Sequence, residues 1–154
     1  MENINDKLTI NPDIHEVYGF LILGSQKYLL GTFSKGKKEI NFKSDFNFNS
    51  ILYKGRRRGA TANRFGRIRE ERIRQIFKII DENMKKFFIK NNLLNISGLI
   101  IGGNMNVIKK YLSYKRNNEL AKEYLYTLIE TIYEGELGFE EAIKLFMLDN
   151  LQYK

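Results

Sequence analysis

Apolar and polar positions alternate in two different periods along this chain, and the period changes near residue 63. Val17 to Leu23 is a short apolar run rich in strand-forming residues. Gly24-Ser25-Gln26 interrupts it, and the strand pattern resumes from Lys27 to Phe33. Two strands joined by a short glycine-containing connection read as a β-hairpin. Ser34-Lys35-Gly36-Lys37 reads as a second turn, Lys38 to Phe42 as a third strand and Phe46 to Tyr53 as a fourth, with Phe46, Phe48 and Ile51 inward. The expectation is an antiparallel β-meander that needs a cover on one face.

From Asn63 to about Asn91 the period becomes helical. Phe65, Ile68, Ile73, Ile76, Phe77, Ile80, Met84, Phe87 and Phe88 recur at the spacing of a helix face, and from Ile73 onward they form one stripe. Asn91-Asn92 reads as the stop. The C-terminal two-thirds of this helix is expected to pack on the sheet, with its first turns projecting beyond. Ile96 to Ile101 reads as a buried strand ended by Gly102-Gly103. Asn104 reads as the N-cap of a helix from Met105 to about Tyr111. Glu119 to Tyr124 is expected to be helical and Leu125 to Tyr133 a strand. Gly135-Glu136-Leu137-Gly138 reads as a turn, and Phe139 to Leu148 as a final helix with Phe139, Ala142, Ile143, Phe146 and Met147 on one face. The fold class is therefore α+β or α/β: a meander packed on a long helix, then a strand-helix-strand-helix half. Residues 1–15 are polar and contain Pro12, and read as a flexible lead-in. Residues 16–154 read as a single domain, a size at which one ordinary core can form.

Charge alters this picture at one place. Between Lys54 and Arg74 stand nine basic residues (Lys54, Arg56, Arg57, Arg58, Arg64, Arg67, Arg69, Arg72, Arg74) and two acids, Glu70 and Glu71. Nine minus two is +7, against +8 for the 154 residues, so the rest of the chain is nearly neutral. Fixed positive charge at this density attracts a phosphate backbone through counterion release. The competing reading is a solvated basic linker. It is disfavoured because the stretch runs without a break into the periodic helix. The candidate phosphate-binding residues are Lys54, Arg56, Arg57, Arg58, Arg64, Arg67, Arg69 and Arg72, with Gly59 bending a basic loop over 54–62.

Other chemistries find few residues. There is no cysteine and one histidine, His15, so a disulfide framework, a thiolate metal site, a His-based triad and a multi-His metal site are excluded within one chain. No metal and no cofactor is expected. A strand, Gly102-Gly103 and a helix invite a nucleotide-loop reading, but no G-x-G-x-x-G and no following Lys-Ser/Thr supports it, and a structural turn is the preferred reading. No apolar run approaches the roughly 20 residues needed to cross a bilayer. A soluble cytoplasmic protein without a membrane partner is the expectation.

Several local sequences, in this order, resemble a known family: Tyr18-Gly19-Phe20-Leu21-Ile22, Leu30-Gly31-Thr32-Phe33, Ala62-Asn63-Arg64-Phe65-Gly66-Arg67-Ile68-Arg69-Glu70, Ile96 to Gly103, and Tyr133-Glu134-Gly135-Glu136-Leu137-Gly138-Phe139. Over about residues 16–145 the chain resembles the middle domain of the eukaryotic and archaeal class 1 peptide-chain release factors and its relative in Pelota-type ribosome-rescue factors. In that family a Gly-Gly-Gln tip enters the peptidyl-transferase centre and positions water to cleave the ester of peptidyl-tRNA. Setting Thr61-Ala62-Asn63-Arg64-Phe65 on the family's Ser-Ala-x-Arg-Phe puts the tripeptide at Arg58, Gly59 and Ala60, a departure at two of three positions. Gly24-Ser25-Gln26 resembles a displaced tip but reads as a hairpin turn.

The resemblance implies an RNA partner, ribosomal RNA or tRNA on the ribosome, and no surviving catalytic residue at the degenerate tip Arg58, Gly59 and Ala60. Nothing matches a codon-reading domain or a domain that binds the translational GTPase, so neither direct stop-codon reading nor a GTPase partner is expected. Three readings stay open. One is a stand-alone, catalytically degenerate domain acting at the peptidyl-transferase centre in rescue, dormancy or regulation. Another is a peptidyl-tRNA ester hydrolase that uses the Ala60 backbone amide. The third is a structural subunit anchored in RNA.

Overall fold

The computed structural model describes residues 9–10, 16–46, 60–114 and 119–152, with side chains over 16–46, 70–114 and 120–149. Its elements, in order, are β1 (Thr9–Ile10), β2 (Tyr18–Leu23), β3 (Lys27–Ser34), β4 (Lys37–Asp45), α1 (Ala60–Phe88), β5 (Ile89–Lys90), β6 (Leu93–Leu94), β7 (Gly98–Gly103), α2 (Met105–Ser113), α3 (Glu119–Tyr124), β8 (Leu125–Glu130) and α4 (Gly135–Gln152). One five-stranded sheet runs in the order β4-β3-β2-β7-β8, and a second, small sheet in the order β1-β6-β5.

The expected meander is present as β2, β3 and β4, paired antiparallel. Two glycine-bearing turns make it. Gly24 donates its N–H to the Lys27 carbonyl at 2.9 Å to close the first. Lys35 and Gly36, both at positive φ, form the second as a two-residue loop. The third strand is longer than expected, because β4 continues to Asp45. A bulge opposite Leu30 and Gly31 lets its register slip without ending it. Phe46 lies just past β4, part-buried against Tyr28 as expected. The rest of the expected fourth strand, 47–53, lies outside the described residues.

The meander does not stand beside a separate half. β2 pairs in parallel with β7, and β7 in parallel with β8, so both halves share one mixed sheet. That placement corrects the expectation of a cover on one face only. Phe20 to Leu23 is buried throughout, because β2 is central and covered on both sides. Leu21, Leu23, Leu30, Leu99 and Ile101 face α1, α2 and α3. Phe20, Ile22, Leu29, Ile100 and Ile129 face α4, through Phe139, Ala142, Ile143 and Phe146. Alternate residues of one strand thus feed two cores, as the pleat requires.

α1 starts three residues earlier than expected and stops at Phe88. Its stripe of Ile73, Phe77, Ile80, Met84 and Phe88 is buried, and Asn83 donates to the Tyr28 hydroxyl at 2.8 Å, tying α1 to β3. Asn91 and Asn92 both take positive φ and turn a short β5–β6 hairpin rather than only ending the helix. Two glycine readings are corrected. Gly102 and Gly103 belong to β7 instead of ending it. Gly135 to Gly138 is not a turn but the first turn of α4. In the N-terminal segment, Thr9–Ile10 pairs in parallel with Leu93–Leu94, and the other residues before Glu16, His15 included, lie outside the described residues.

Candidate nucleic-acid interface

α1 is a single rod of 29 residues, roughly 43 Å long at 1.5 Å per residue. Ile73 is its first buried side chain among those described, and from there to Phe88 the core grips the rod. The predicted phosphate-binding residues divide along it. Lys54, Arg56, Arg57, Arg58 and Gly59 lie outside the described residues. Ala60, the expected third position of the tip, opens α1, and Arg64, Arg67 and Arg69 fall within its first ten residues. Arg72 is exposed, one residue before the buried stripe.

Where the basic stretch meets the core, its two acids are both engaged. Glu71 accepts from its helix neighbour Arg74 at 3.4 Å. Glu70 reaches across to α2 and the residue after it. Its Oε1 accepts from Lys110 Nζ at 3.1 Å. Its Oε2 accepts the hydroxyl of Tyr114 in a short hydrogen bond. Tyr114 and Tyr111 both set their rings edge-on to Phe77, with centroids 5.2 Å away. Lys110 Nζ lies 5.8 Å from the Tyr114 ring centroid. Tyr111 in turn donates to the buried Asp81 at 3.5 Å. The Tyr114 hydroxyl, and behind it the Lys110 ammonium, hold the Glu70 carboxyl below the usual carboxylate range. Burial, and then the bond to Glu70, push the Tyr114 hydroxyl up. Both shifts favour a carboxylate fork that accepts from the tyrosine hydroxyl and the lysine. No local pattern points to it, because Glu70 and Tyr114 are 44 residues apart.

Two other motifs are structural. Gly24-Ser25-Gln26 is gripped by Glu134, whose Oε1 accepts from the Gln26 N–H at 3.0 Å and whose two oxygens face the Ser25 hydroxyl at 3.4 and 3.5 Å. A Cβ on Gly24 would sit 1.8 Å from that carboxylate, so the glycine is there for close approach. This turn borders a cleft of about 500 Å³ lined by Lys27, Lys43, Asp45 and Glu136 among others, in which Lys43 and Glu136 pair at 3.0 Å. At the other motif, the Asn104 side chain caps α2, accepting from the N–H groups of Asn106 and Val107 at 2.9 and 3.3 Å. Those are the amides a bound phosphate would need, so the nucleotide-loop reading falls. Among the described residues, no helix is long and apolar enough to cross a membrane.

Comparison with known proteins gives a consistent picture. The family model described as eRF1 domain 2 matches residues 17–152. The eukaryotic peptide chain release factor subunit 1 of Didinium nasutum is 32% identical over 141 residues, covering 85% of this chain and 29% of that protein. The protein of the same name from Loxodes striatus is 28% identical over 138 residues, covering 88% of this chain and 31% of that one. The chain thus spans less than a third of the length of either relative. The solved structure of an archaeal translation termination factor, aRF1, superposes with a TM-score of 0.60 at 17% identity, over 82% of this chain and 33% of the other, a likeness of fold alone.

Proposed function

We propose a role in translation for this chain, which belongs to the eRF1 domain 2 family. In this reading residues 16–154 act as one middle-domain-like unit. It binds ribosomal RNA or tRNA through the basic stretch and occupies the peptidyl-transferase centre of cytoplasmic ribosomes without efficient hydrolysis. The carrying observation is the contrast within one match: the family model spans 17–152, yet the tip position reads Arg58-Gly59-Ala60. Three consecutive arginines, Arg56 to Arg58, suit phosphate forks better than a tight catalytic turn.

A second reading has one observation in its favour. α1 begins at Ala60, and the first amides of a helix have no intrahelical partner. The Ala60 N–H is among them and could face an oxyanion or an attacking water. The backbone donor would then survive the loss of the glutamine side chain and of the first glycine, which makes a weak hydrolase the alternative to a degenerate binder.

Co-sedimentation with ribosomes over a salt series tests the binding reading. Replacing Arg56, Arg57 and Arg58 together by Gln is expected to weaken binding and to lower the salt slope by about 2 to 3, since each lost phosphate contact carries roughly 0.7 to 0.9. Replacing the exposed Lys35, Lys37 and Lys90 instead should leave most of the affinity. Equal losses from both triplets would mean that overall charge, not the stretch, drives binding.

A further inference from the structure

We propose that Glu70 is a positioning residue: by holding Lys110 and Tyr114 it fixes the root of the basic helix, and so the direction in which the arginine-rich arm meets its RNA. This rests on the reading of the arm as a ribosome-binding element.

An acid inside a phosphate-binding stretch opposes the function of its neighbours. A merely tolerated acid would sit in solvent or pair within its own helix, as Glu71 does with Arg74. Glu70 instead engages both carboxylate oxygens on residues from another part of the chain, Lys110 in α2 and Tyr114 just after it. The fork lies one helical turn before Ile73, the first buried residue of the stripe. It therefore fastens α1 to the body N-terminal to the buried stripe. Beyond it the helix runs ten residues back to Ala60, roughly 15 Å. A swing of about 10° at the root moves that end by roughly 2.6 Å over this length, enough to break a phosphate hydrogen bond, whose donor–acceptor distance spans only about half an ångström. Tyr114 contributes in a second way. Its ring packs on Phe77, so the hydroxyl that meets Glu70 is itself held by the core.

Charge and position predict opposite signs for the same substitution. If Glu70 acts only as a charge, removing it makes the stretch more positive and tightens binding to any RNA. If it aims the arm, removing it weakens binding to a target of fixed shape and spares binding to a flexible one. The experiment measures the affinity of the whole chain for ribosomes and, separately, for a short labelled uridine oligomer, with melting temperatures alongside. Glu70→Ala and Tyr114→Phe should each weaken ribosome binding roughly tenfold, the order expected for losing a hydrogen bond to a charged group. Oligomer binding should stay the same for Tyr114→Phe and stay the same or tighten for Glu70→Ala. Glu71→Ala should weaken neither. Tyr114→Phe removes one oxygen and leaves the ring on Phe77, so it decides the matter even where Glu70→Ala folds poorly. Unchanged ribosome binding in both variants, or equal losses on ribosomes and oligomer, overturns the positioning role. If the Arg56, Arg57, Arg58 triplet also leaves ribosome binding intact, the arm is not the binding element and the function proposed above fails with it. A loss from the triplet without a loss from Tyr114→Phe sinks the positioning role alone.

Discussion

Ribosomes carrying a labelled peptide on P-site tRNA are expected to release little or none of it when this chain is added. The reason is steric and chemical together. On the proposed placement of the tip, Arg58 stands where the family has its first glycine, and an arginine brings a Cβ and a long cationic arm to a place where the family uses a residue without either. By the same proposed placement Ala60 takes the glutamine's position, and it has no carboxamide to orient a water or a leaving ribose. Removing a single well-placed oxyanion donor typically lowers a rate by about 10² to 10³. Release at least roughly 100-fold below that of a factor with an intact tip is therefore the expected result. If these two positions alone account for the loss, Arg58→Gly combined with Ala60→Gln should restore measurable release when this stretch is carried in a full-length factor. Ala60→Gln is compatible with the fold, because Ala60 is already helical and glutamine is a good helix former. If Arg56 and Arg57 have also moved the loop, the double change will stay inactive. Robust ribosome-dependent release by the unaltered chain would overturn the degenerate reading and promote the hydrolase.

The elements whose signals are local were legible in the sequence. Asn104 capping Met105 onward, the stripe from Ile73 to Phe88 and the Lys35-Gly36 turn each depend on neighbours within a turn or two, and each appears as read. The shared sheet was not legible. It depends on β2 lying beside β7, some 80 residues later, and parallel pairing leaves no mark in either strand beyond continuous burial. Phe20 to Leu23 carried that mark as an unbroken apolar run. The turn chemistry of Gly24-Ser25-Gln26 drew attention to the hairpin instead.

Gly135 and Gly138 misled for a related reason. Two glycines within four residues signal a turn when only local backbone preference is considered. Here Gly138 is required because a Cβ would stand 2.4 Å from the Tyr133 carbonyl oxygen and 3.2 Å from Ile22, so α4 can begin close against the strand beneath it. The candidate site shows the same division. Its charge was readable because nine basic residues fall between Lys54 and Arg74. The fork that holds the root of α1 was not, because Glu70 meets Lys110 and Tyr114 only through the tertiary packing of α1 on α2.

Gly103→Ala is expected to cost several kcal/mol of stability, the largest effect of any single substitution proposed for this fold. Gly103 closes the pairing of the two central strands, opposite Leu23, with φ at +126°. An added Cβ would stand 2.1 Å from the Leu23 carbonyl oxygen, 2.7 Å from its carbonyl carbon and 2.9 Å from its nitrogen. All three are backbone atoms, so no side-chain rotation relieves the collision. β2 and β7 must part instead. The bonds at that corner would part with them: Asn104 N–H to the Leu23 carbonyl at 2.8 Å and Thr131 N–H to the Gly103 carbonyl at 3.0 Å. Strain at positive φ adds about 1 to 2 kcal/mol for a residue with a Cβ. Together these reach about 4 kcal/mol, a large part of the roughly 5 to 15 kcal/mol that holds a typical domain. For a chain of this size that corresponds to a fall of about 10 °C or more in Tm. Gly36→Ala separates the two causes. Gly36 also has positive φ, +77°, but nothing lies within 4 Å of the Cβ it would gain. It should lose only the conformational part, about 1 kcal/mol, and melt within a few degrees of the parent. Thermal melts of the parent and both variants, followed by circular dichroism, decide the matter. A Gly103→Ala protein that melts alongside Gly36→Ala would show that the β2–β7 corner can open cheaply, and that the two halves are joined more loosely than their shared sheet implies.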